Sequence, residues 1–340
     1  MSNPQDIKSK LSFPKDVVII SHRNPDGDAI GSSLGLKHYL LKHGHAVKVV
    51  VPSDYPDNFS WMPDIDNVLV FDNEPEEVKD AIVKSEIVFC LDFNALDRID
   101  KVGDILMEHK KAYIAMIDHH LEPEHFADYL LSDTTASSTC ELVFDFITDI
   151  LNDKETIDKK IGECLFAGIL TDTGSFKYST SSKLFRIVAD LLDVGVNDYL
   201  LQDLIFNSMT EKQLRLLGHA LYNRMEVIDE YHTAIIALTK DDYLNFDIQR
   251  GDTEGIVNFL LKMPNIKMAA FITQQPKIIK LSLRSKGDFS VQEIASKYFK
   301  GGGHKNASGG YSYQSLPAVI EKFKQAMREN KHALIATTLS

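Results

Sequence analysis

Short apolar runs rich in valine and isoleucine alternate with amphipathic segments over the first half of the chain. Five runs predict strands: DVVIIS, HAVKVVV, DNVLVF, EIVFCLDF and KAYIAMID. Three longer segments have the three- and four-residue apolar spacing of helices: TASSTCELVFDFITDIL, DKKIGECLFAGILTDT and SSKLFRIVADLLDVG. Apolar strands separated by helices are typical of a mostly parallel sheet flanked by helices, so we predict an α/β fold.

The pattern changes after Gly195. DYLLQDLIFNSMTEKQLRLLGHALYNRM predicts one or two helices. The segments that follow predict a hairpin, a helix, two strands around a turn and two more helices: EVIDEYHTAIIAL, IVNFLLKM, KMAAFITQQPKIIKLSLRS, VQEIASKYF and LPAVIEKFKQAMREN. We therefore predict an N-terminal domain over residues 1–195, a helical linker over 196–222 and a smaller C-terminal α+β domain over 223–340.

Composition narrows the classes of function. The net charge of −12 argues against an open basic face for long nucleic acid, although it permits a short nucleotide in a cleft. Cys90, Cys140 and Cys164 form no C-x-x-C pair, so we expect buried free thiols and a reducing cytoplasm. The N-terminus lacks the apolar core of a signal peptide, and no apolar run reaches the roughly 18 residues of a membrane span.

Acids and imidazoles follow three of the predicted strands and end one predicted helix. They are His22, Asp26 and Asp28 after the first strand, Asp92 after the fourth, Asp118, His119 and His120 after the fifth, and Asp172 at the helix end. Taken singly, an aspartate after a strand is most often a helix N-cap. Because the carboxyl ends of parallel strands meet at one edge of a sheet, we expect all of these side chains to converge.

Carboxylates gathered in this way would repel one another, and several would stay protonated unless cations neutralised them. Aspartate oxygens and histidine nitrogens without thiolates suit manganese or magnesium. Six good ligands are too many for one ion with open positions, whereas two ions roughly 3.5–4 Å apart can share one bridging carboxylate. Such a pair lowers the pKa of a bridging water and clamps a phosphoryl group during in-line attack. The residues therefore predict metal-dependent phosphoester hydrolysis by a bridging hydroxide.

The second candidate site is GGGHKNASGG, residues 301–310. Glycine costs backbone entropy, so five glycines in ten residues indicate either a flexible surface loop or a loop whose amides approach an anion. His304 and Lys305 would add charge to such a loop. Arg284, near the end of a predicted strand, could form a bidentate pair with phosphate.

Five motifs together resemble the DHH phosphoesterase superfamily. HRNPDGDAIGS, LDFNALDR, IDHH and LTDTGSF are similar to its four successive motifs, and GGGHKNASGG is similar to the hallmark of the DHH-associated C-terminal domain. The match runs from about Val17 to Met327, and it most resembles the two-domain bacterial enzymes called nano-RNases or pAp phosphatases. The resemblance implies an oligoribonuclease that releases mononucleotides from very short RNA and converts 3′-phosphoadenosine 5′-phosphate (pAp) to AMP.

The resemblance also implies a role for each candidate residue. His22 and Asp26 would hold the first Mn²⁺, Asp28, His119 and Asp172 would hold the second, and Asp92 would bridge the two ions. His120 would face the scissile phosphate, and Asp118 would orient the histidine pair. Arg284 and His304, with the backbone of Gly302 and Gly303, would bind the substrate. Mg²⁺ is the alternative metal, and a homodimer is common among such relatives.

Other functions stay open at this point. A phosphodiesterase for cyclic or linear dinucleotides, such as c-di-AMP or pApA, would use the same residues. A nucleotide-binding or regulatory module with incidental metals belongs to a different class, and the complete ligand set argues against it. A long-DNA exonuclease of related type would need extra binding domains and a basic channel, which the charge and length do not supply.

Overall fold

The structure, a computed structural model, describes residues 3–108, 111–249 and 251–337. Residues up to Ser208 form one compact unit, and residues from Met209 form a second. Each unit has its own six-stranded sheet and its own apolar core. The α/β class with a smaller C-terminal unit is thereby confirmed.

Strands alternate with helices in the first unit, as the sequence predicts. In chain order the elements are α1 (Pro4–Lys10), β1 (Asp16–Ile20), α2 (Gly27–Lys42), β2 (Ala46–Val51), β3 (Val68–Val70), α3 (Pro75–Lys84), β4 (Ile87–Leu91), α4 (Lys101–Glu108), β5 (Tyr113–Asp118), β6 (Tyr129–Ser132), α5 (Thr139–Asp145), α6 (Lys159–Thr173), α7 (Ser182–Asp193) and α8 (Asp198–Phe206). The sequence analysis named no segment for α1, α3, α4 or the short strand β6. A π-helical stretch, Phe146–Ile150, continues directly from α5.

The strand order of the first sheet is β3-β2-β1-β4-β5-β6, and every neighbouring pair is parallel. The chain runs outward from β1 to one edge and returns through β4 to the other. The order therefore reverses between β1 and β4. In open parallel sheets the crevice outside the carboxyl ends of the strands at such a point is where ligands bind.

Apolar side chains alternate between the two faces of this sheet. Ile19 and Phe89 pack in the core that α2, α5 and α6 complete, whereas Val18 and Val88 pack on the other face with α3 and α4. Strands buried on both faces read as continuous apolar runs, which is why these segments were recognisable. Cys90, Cys140 and Cys164 are buried free thiols within these cores, as predicted.

Helices α2 and α6 lie unusually close together. A Cβ added at Gly31 would lie 2.5 Å from the carbonyl oxygen of Cys164, so only glycine permits this approach. A Cβ at Gly27 would similarly meet the Thr171 hydroxyl at 2.5 Å. The first turn of α2 is therefore next to the last turn of α6, where Asp172 lies.

The second unit is a mixed sheet with helices. Its elements are α9 (Glu211–Asn223), β7 (Met225–Ile228), β8 (Thr233–Leu238), α10 (Lys240–Asn245), α11 (Ile256–Leu260), β9 (Met268–Gln274), β10 (Ile279–Ser285), α12 (Val291–Phe299), β11 (Gly302–His304), β12 (Ala307–Ser312), α13 (Leu316–Glu329) and α14 (Lys331–Ala336). The strand order is β11-β12-β10-β9-β8-β7, in which β8 and β9 are parallel and the other neighbours are antiparallel.

The hairpin β7–β8 and the pair β9–β10 confirm the predicted strands. The prediction of a loop over residues 301–310 was wrong, because β11 and β12 pair there as an antiparallel hairpin. Close packing explains part of the glycine content: a Cβ at Gly310 would lie 2.8 Å from the Cβ of Phe299 on α12. Of the two helices within the predicted linker, α8 lies in the first unit and α9 in the second.

Among the described residues, no helix combines the length and the apolar character that crossing a bilayer requires.

Candidate metal centre

The predicted acids and imidazoles of the first unit converge where the strand order reverses. Three groups of ligand atoms lie within 4.8 Å of one another: His22, Asp26 and Asp92; Asp28, His119 and Asp172; and Asp92, His119 and His120. They come from the segment after β1, the first turn of α2, the ends of β4 and β5, and the last turn of α6. The edge of the sheet thus gathers residues that are up to 150 positions apart in the chain.

In the first group, His22 faces two carboxylates. Its Nε2 lies 3.3 Å from Oδ2 of Asp92 and 4.0 Å from Oδ1 of Asp26. The Nδ1 of His22 lies 2.9 Å from the carbonyl oxygen of Arg23, which can only accept a hydrogen bond. Nδ1 therefore carries a proton, and Nε2 is the nitrogen that could bind a cation.

The second group has the same composition. Nε2 of His119 lies 3.3 Å from Oδ2 of Asp172 and 3.9 Å from Oδ2 of Asp28. Its Nδ1 points to the carbonyl oxygen of Ala136 at 3.4 Å. His119, like His22, thus directs Nε2 toward carboxylates and Nδ1 toward a backbone carbonyl.

Asp92 lies between the two groups and presents one oxygen to each. Its Oδ2 is the atom near His22, and its Oδ1 lies 3.6 Å from Nε2 of His119. The backbone of Asp92 has φ 64°, a left-handed conformation that aspartate tolerates better than most residues. This kink follows the last residue of β4. The geometry is that of a carboxylate able to bridge two ions.

Burial makes this cluster electrostatically costly without cations. Asp28 and Asp92 are almost completely buried, and the loss of solvation raises the pKa of each above its ordinary value. Burial, followed by the charges of Asp28, Asp26 and Asp92, also raises the pKa of Asp172. Divalent cations would remove this cost, because they favour the charged form of every carboxylate around them.

The donor set fits hard divalent cations. It consists of carboxylate oxygens and imidazole nitrogens, which suit manganese and magnesium. Cys140 is the thiol nearest to Asp28, but burial raises the pKa of this thiol well above its usual value, so it stays protonated. Its sulfur lies 3.7 Å from the backbone oxygen of Asp28.

His120 is held differently from His119. Oδ1 of Asp118 lies 2.7 Å from Nδ1 of His120, and Oδ2 of Asp118 accepts the backbone N–H of His120 at 3.2 Å. Asp118 is fully buried at the last position of β5, so it fixes the ring rigidly. The Nδ1 of His120 also lies 3.8 Å from Oδ1 of Asp92, which places this ring at the border of the cluster.

The sequence analysis missed Thr139, which joins two of the carboxylates. The backbone N–H groups of Thr139 and Cys140 donate to Oδ2 and Oδ1 of Asp28 at 2.6 and 2.8 Å. The Thr139 hydroxyl donates to Oδ1 of Asp92 at 3.1 Å. Ser138 is the N-cap of α5, so the start of this helix faces Asp28. A serine–threonine pair before an apolar helical run predicts a helix N-cap, but it does not predict which side chain the start of that helix contacts.

Replacing Thr139 by valine removes the hydroxyl that holds Asp92 and keeps the shape of the side chain. We expect the affinity for Mn²⁺, measured by isothermal titration calorimetry, to fall about 10- to 100-fold, as for other residues that orient metal ligands. Thr139→Ser should restore it. Thr233→Val is the matched control, because Thr233 is an equally buried threonine whose hydroxyl bonds the carbonyl of Tyr231. Equal Mn²⁺ affinities for Thr139→Val and wild type would contradict the role.

The remaining predicted residues lie in the second unit. Ala307 on β12 pairs with Arg284 on one side and with His304 on the other, so these three residues form one row across the sheet. Burial lowers the pKa of Arg284, and its Nη1 donates to the carbonyl of Leu283. Gly302 and Gly303 precede His304 on the exposed strand β11.

A doubly wound sheet with two carboxylate–imidazole groups around one shared aspartate could hold the cations of a metal-dependent phosphoesterase. The chain belongs to the DHH family: the model of the DHH family N-terminal domain matches residues 16–169, and that of the DHHA1 domain matches residues 230–330. The predicted family and the hydrolase class are thereby confirmed.

Similar proteins cover nearly the whole chain. The probable bifunctional oligoribonuclease and PAP phosphatase NrnA of Streptococcus mutans is 29% identical over 90% of this chain and 93% of its own. The crystal structure of an exopolyphosphatase-related protein from Bacteroides fragilis is 40% identical, with a TM-score of 0.94 over 97% of both chains. The cyclic-di-AMP phosphodiesterase PdeA of Listeria monocytogenes is 26% identical over 88% of this chain, which spans only 45% of that protein.

Proposed function

We propose that this protein uses two divalent cations, Mn²⁺ in preference to Mg²⁺, to hydrolyse short oligoribonucleotides to mononucleotides and pAp to AMP. The observation that carries the proposal is the position of Asp92, whose two oxygens face two separate groups of ligands. The relative from Streptococcus mutans, named as a bifunctional oligoribonuclease and PAP phosphatase, supports the choice of substrates because its length matches this chain.

In this proposal, His22, Asp26 and Asp92 hold one cation, and Asp28, Asp92, His119 and Asp172 hold the other. Bound there, divalent cations would activate a water and neutralise charge on the phosphoryl oxygens. His119 and His22 would bind through Nε2, because the Nδ1 of each faces a backbone carbonyl. Hydrogen bonds from Thr139 and the start of α5 orient Asp28 and Asp92 and favour their charged forms, in opposition to the larger effect of burial.

His120 is the proposed group that faces the scissile phosphate. Because Asp118 accepts a hydrogen bond from Nδ1, the other ring nitrogen, Nε2, is the one that would donate a hydrogen bond or a proton to the leaving oxygen. The complete burial of Asp118 and its two contacts with His120 suit an orienting role rather than metal binding.

The second unit would bind the substrate. Arg284 and His304 lie on either side of Ala307 in one row, and both can donate hydrogen bonds to phosphate. With Gly302 and Gly303 they form the proposed grip on a terminal phosphate or nucleotide. The net charge of −12 favours short substrates over long duplexes. Three buried free thiols suit the reducing cytoplasm that we propose as its location.

Hydrolysis of c-di-AMP or pApA is the second candidate, because a cyclic-di-AMP phosphodiesterase from Listeria monocytogenes is 26% identical over 88% of this chain. This chain spans less than half of that protein. The match over 93% of the length of the NrnA relative favours short RNA and pAp instead.

A substrate panel with added Mn²⁺, read by chromatography, tests the proposal. We expect rapid conversion of pAp to AMP and of RNA about two to five nucleotides long to mononucleotides. For c-di-AMP we expect kcat/KM to be at least about tenfold lower, which is a difference of about 1.4 kcal/mol in transition-state binding. Preferred cleavage of c-di-AMP would replace the proposal with the second candidate. No hydrolysis of any of these compounds would refute both.

A further inference from the structure

One face of the sheet in the second unit is only partly covered by helices. On this face α9 and α11 pack over β8 and β9, through residues such as Ile236 and Phe271. The next strands, β10, β12 and β11, turn Lys280, Arg284, Tyr311 and His304 to the same side. The opposite face of β10 is buried beneath α12 and α13. The burial pattern along β10 alternates accordingly, and Lys280 is exposed.

Strand register arranges these side chains in two rows. Arg284, Ala307 and His304 form the first row, and Lys280 and Tyr311 are paired directly opposite each other in the second. Directly paired residues and residues two or four positions apart on a strand share a face. The two rows are four residues apart, about 13 Å along the strands. The partly buried Arg284 therefore lies at one end of this surface, and the exposed Lys280 lies beside the Tyr311 ring at the other.

The surface between the rows is open. Gly302 and Gly309 are paired there, and a Cβ added at Gly302 would meet no atom of the protein within 4 Å. Packing within the chain thus gives no reason for the absence of a side chain at Gly302. A ligand that runs from Arg284 to Tyr311 would cross this bare strip.

Tyr311 is held in a defined orientation although 37% of its surface is exposed. Its ring meets that of Tyr313 edge to face, with centroids 5.6 Å apart and planes at 79°. The Nζ of Lys300 lies 5.7 Å from the centroid of the Tyr313 ring. An ordered aromatic ring beside lysines is the combination that binds single-stranded nucleic acid, since bases stack on rings and cations neutralise phosphates.

We propose that Tyr311 and Lys280 form a nucleotide subsite for short single-stranded RNA, in which a base stacks on Tyr311 and its backbone phosphate contacts Lys280. The subsite adjoins the phosphate that Arg284 and His304 hold, so the inference rests on the proposed function and extends it. Charge selects this occupant: Lys280, Arg284 and Lys300 attract phosphates, and stacking accepts any base.

Steady-state kinetics on an RNA trinucleotide and on its abasic analogue, with Mn²⁺, test the stacking. Tyr311→Ala should raise KM for the trinucleotide about tenfold, with kcat unchanged within about twofold. Its KM for the abasic analogue should equal that of the wild type. Tyr311→Phe and the control Tyr222→Ala, at a tyrosine 90% exposed on α9, should behave as wild type. Tyr311→Leu keeps apolar bulk without stacking and should match Tyr311→Ala.

An unchanged KM for Tyr311→Ala and Tyr311→Leu would overturn the subsite. An equal rise in the KM of these variants for the abasic analogue would also overturn it. A rise in KM for Tyr311→Phe as large as that for Tyr311→Ala would assign the effect to the tyrosine hydroxyl and would also contradict stacking. These outcomes leave wild-type hydrolysis of RNA intact. They are therefore distinct from failure of the proposed function, in which the wild type itself would not cleave the trinucleotide.

The salt dependence of KM tests Lys280 separately. Each neutralised phosphate on a single strand contributes about 0.7 to the slope of log affinity against log salt concentration. Lys280→Gln should lower that slope by about this amount. Lys297→Gln is the control, because Lys297 lies on α12 against the opposite face of the sheet, and its slope should match wild type. An unchanged slope in Lys280→Gln would remove the lysine from the subsite.

Discussion

The Asp92→Asn variant should fold normally and lose at least about 10³-fold in kcat on both pAp and short RNA. Asparagine keeps the oxygen that accepts from Thr139 and tolerates the left-handed backbone at φ 64°. It removes the charge and one of the two ligand oxygens. Because Asp92 is the only carboxylate of the described residues with an oxygen near each group, its loss should disable both metal positions, which together supply several kcal/mol of transition-state stabilisation.

Asp80→Asn is the matched control for this variant. Asp80 is exposed on α3, where it pairs with Lys84, and its replacement should leave kcat unchanged. The thermal midpoint and circular dichroism of both variants establish that they are folded. Turnover by Asp92→Asn within about tenfold of wild type would rule out the bridging role, since this is far less than the loss of a metal position should cost.

Removing the metals should reverse the order of stability between wild type and Asp172→Asn. In excess chelator we expect the variant to be more stable by about 1 kcal/mol, the usual gain when a strained active-site group is neutralised. Burial and neighbouring carboxylates raise the pKa of Asp172, so its charged form destabilises the metal-free protein at neutral pH. With Mn²⁺ at a hundred times its dissociation constant, the wild type should gain about 2.7 kcal/mol, and the variant less.

The pH dependence has a defined sign. The pKa of Asp172 is higher in the folded protein than in the unfolded chain, so the neutral carboxyl favours folding. The metal-free wild type should therefore lose stability as the pH rises from the unfolded pKa of this group through its folded pKa. The difference in free energy of unfolding between wild type and Asp172→Asn should therefore become small at acidic pH. Urea titrations at several pH values, with and without chelator, measure it. A variant less stable than wild type in chelator at neutral pH would show that Asp172 is not strained without metal.

The apolar strands were predictable because burial on both faces leaves an unbroken run of apolar residues. Val18 and Ile19 face different cores, and no polar position interrupts them. The short strand β6 lacks this signature, since only its first residue is fully buried. It exists because it pairs with β5, a tertiary contact that no local pattern carries. The glycine-rich segment was misread for a related reason: pairing with β10 outweighs its low strand propensity.

Candidate ligands could be found in the sequence because they follow strands whose carboxyl ends meet at one edge. The rule places His22, Asp92 and His119 together without any knowledge of distances. It does not reveal which oxygen of Asp92 faces which histidine. It also does not reveal Thr139, which begins a helix and reaches Asp28 and Asp92 from more than 45 positions away. Hydrogen bonds of this kind depend on packing between α5, α2 and β4 rather than on local sequence.

A crystal structure of the protein soaked in Mn²⁺, with anomalous diffraction collected to locate manganese, tests the central claim most directly. We predict two anomalous peaks per chain, about 3.5–4 Å apart, one on each side of the Asp92 carboxylate. His22 and Asp26 should contact one peak, and Asp28, His119 and Asp172 the other. A single peak, or two peaks that do not share Asp92, would contradict the account.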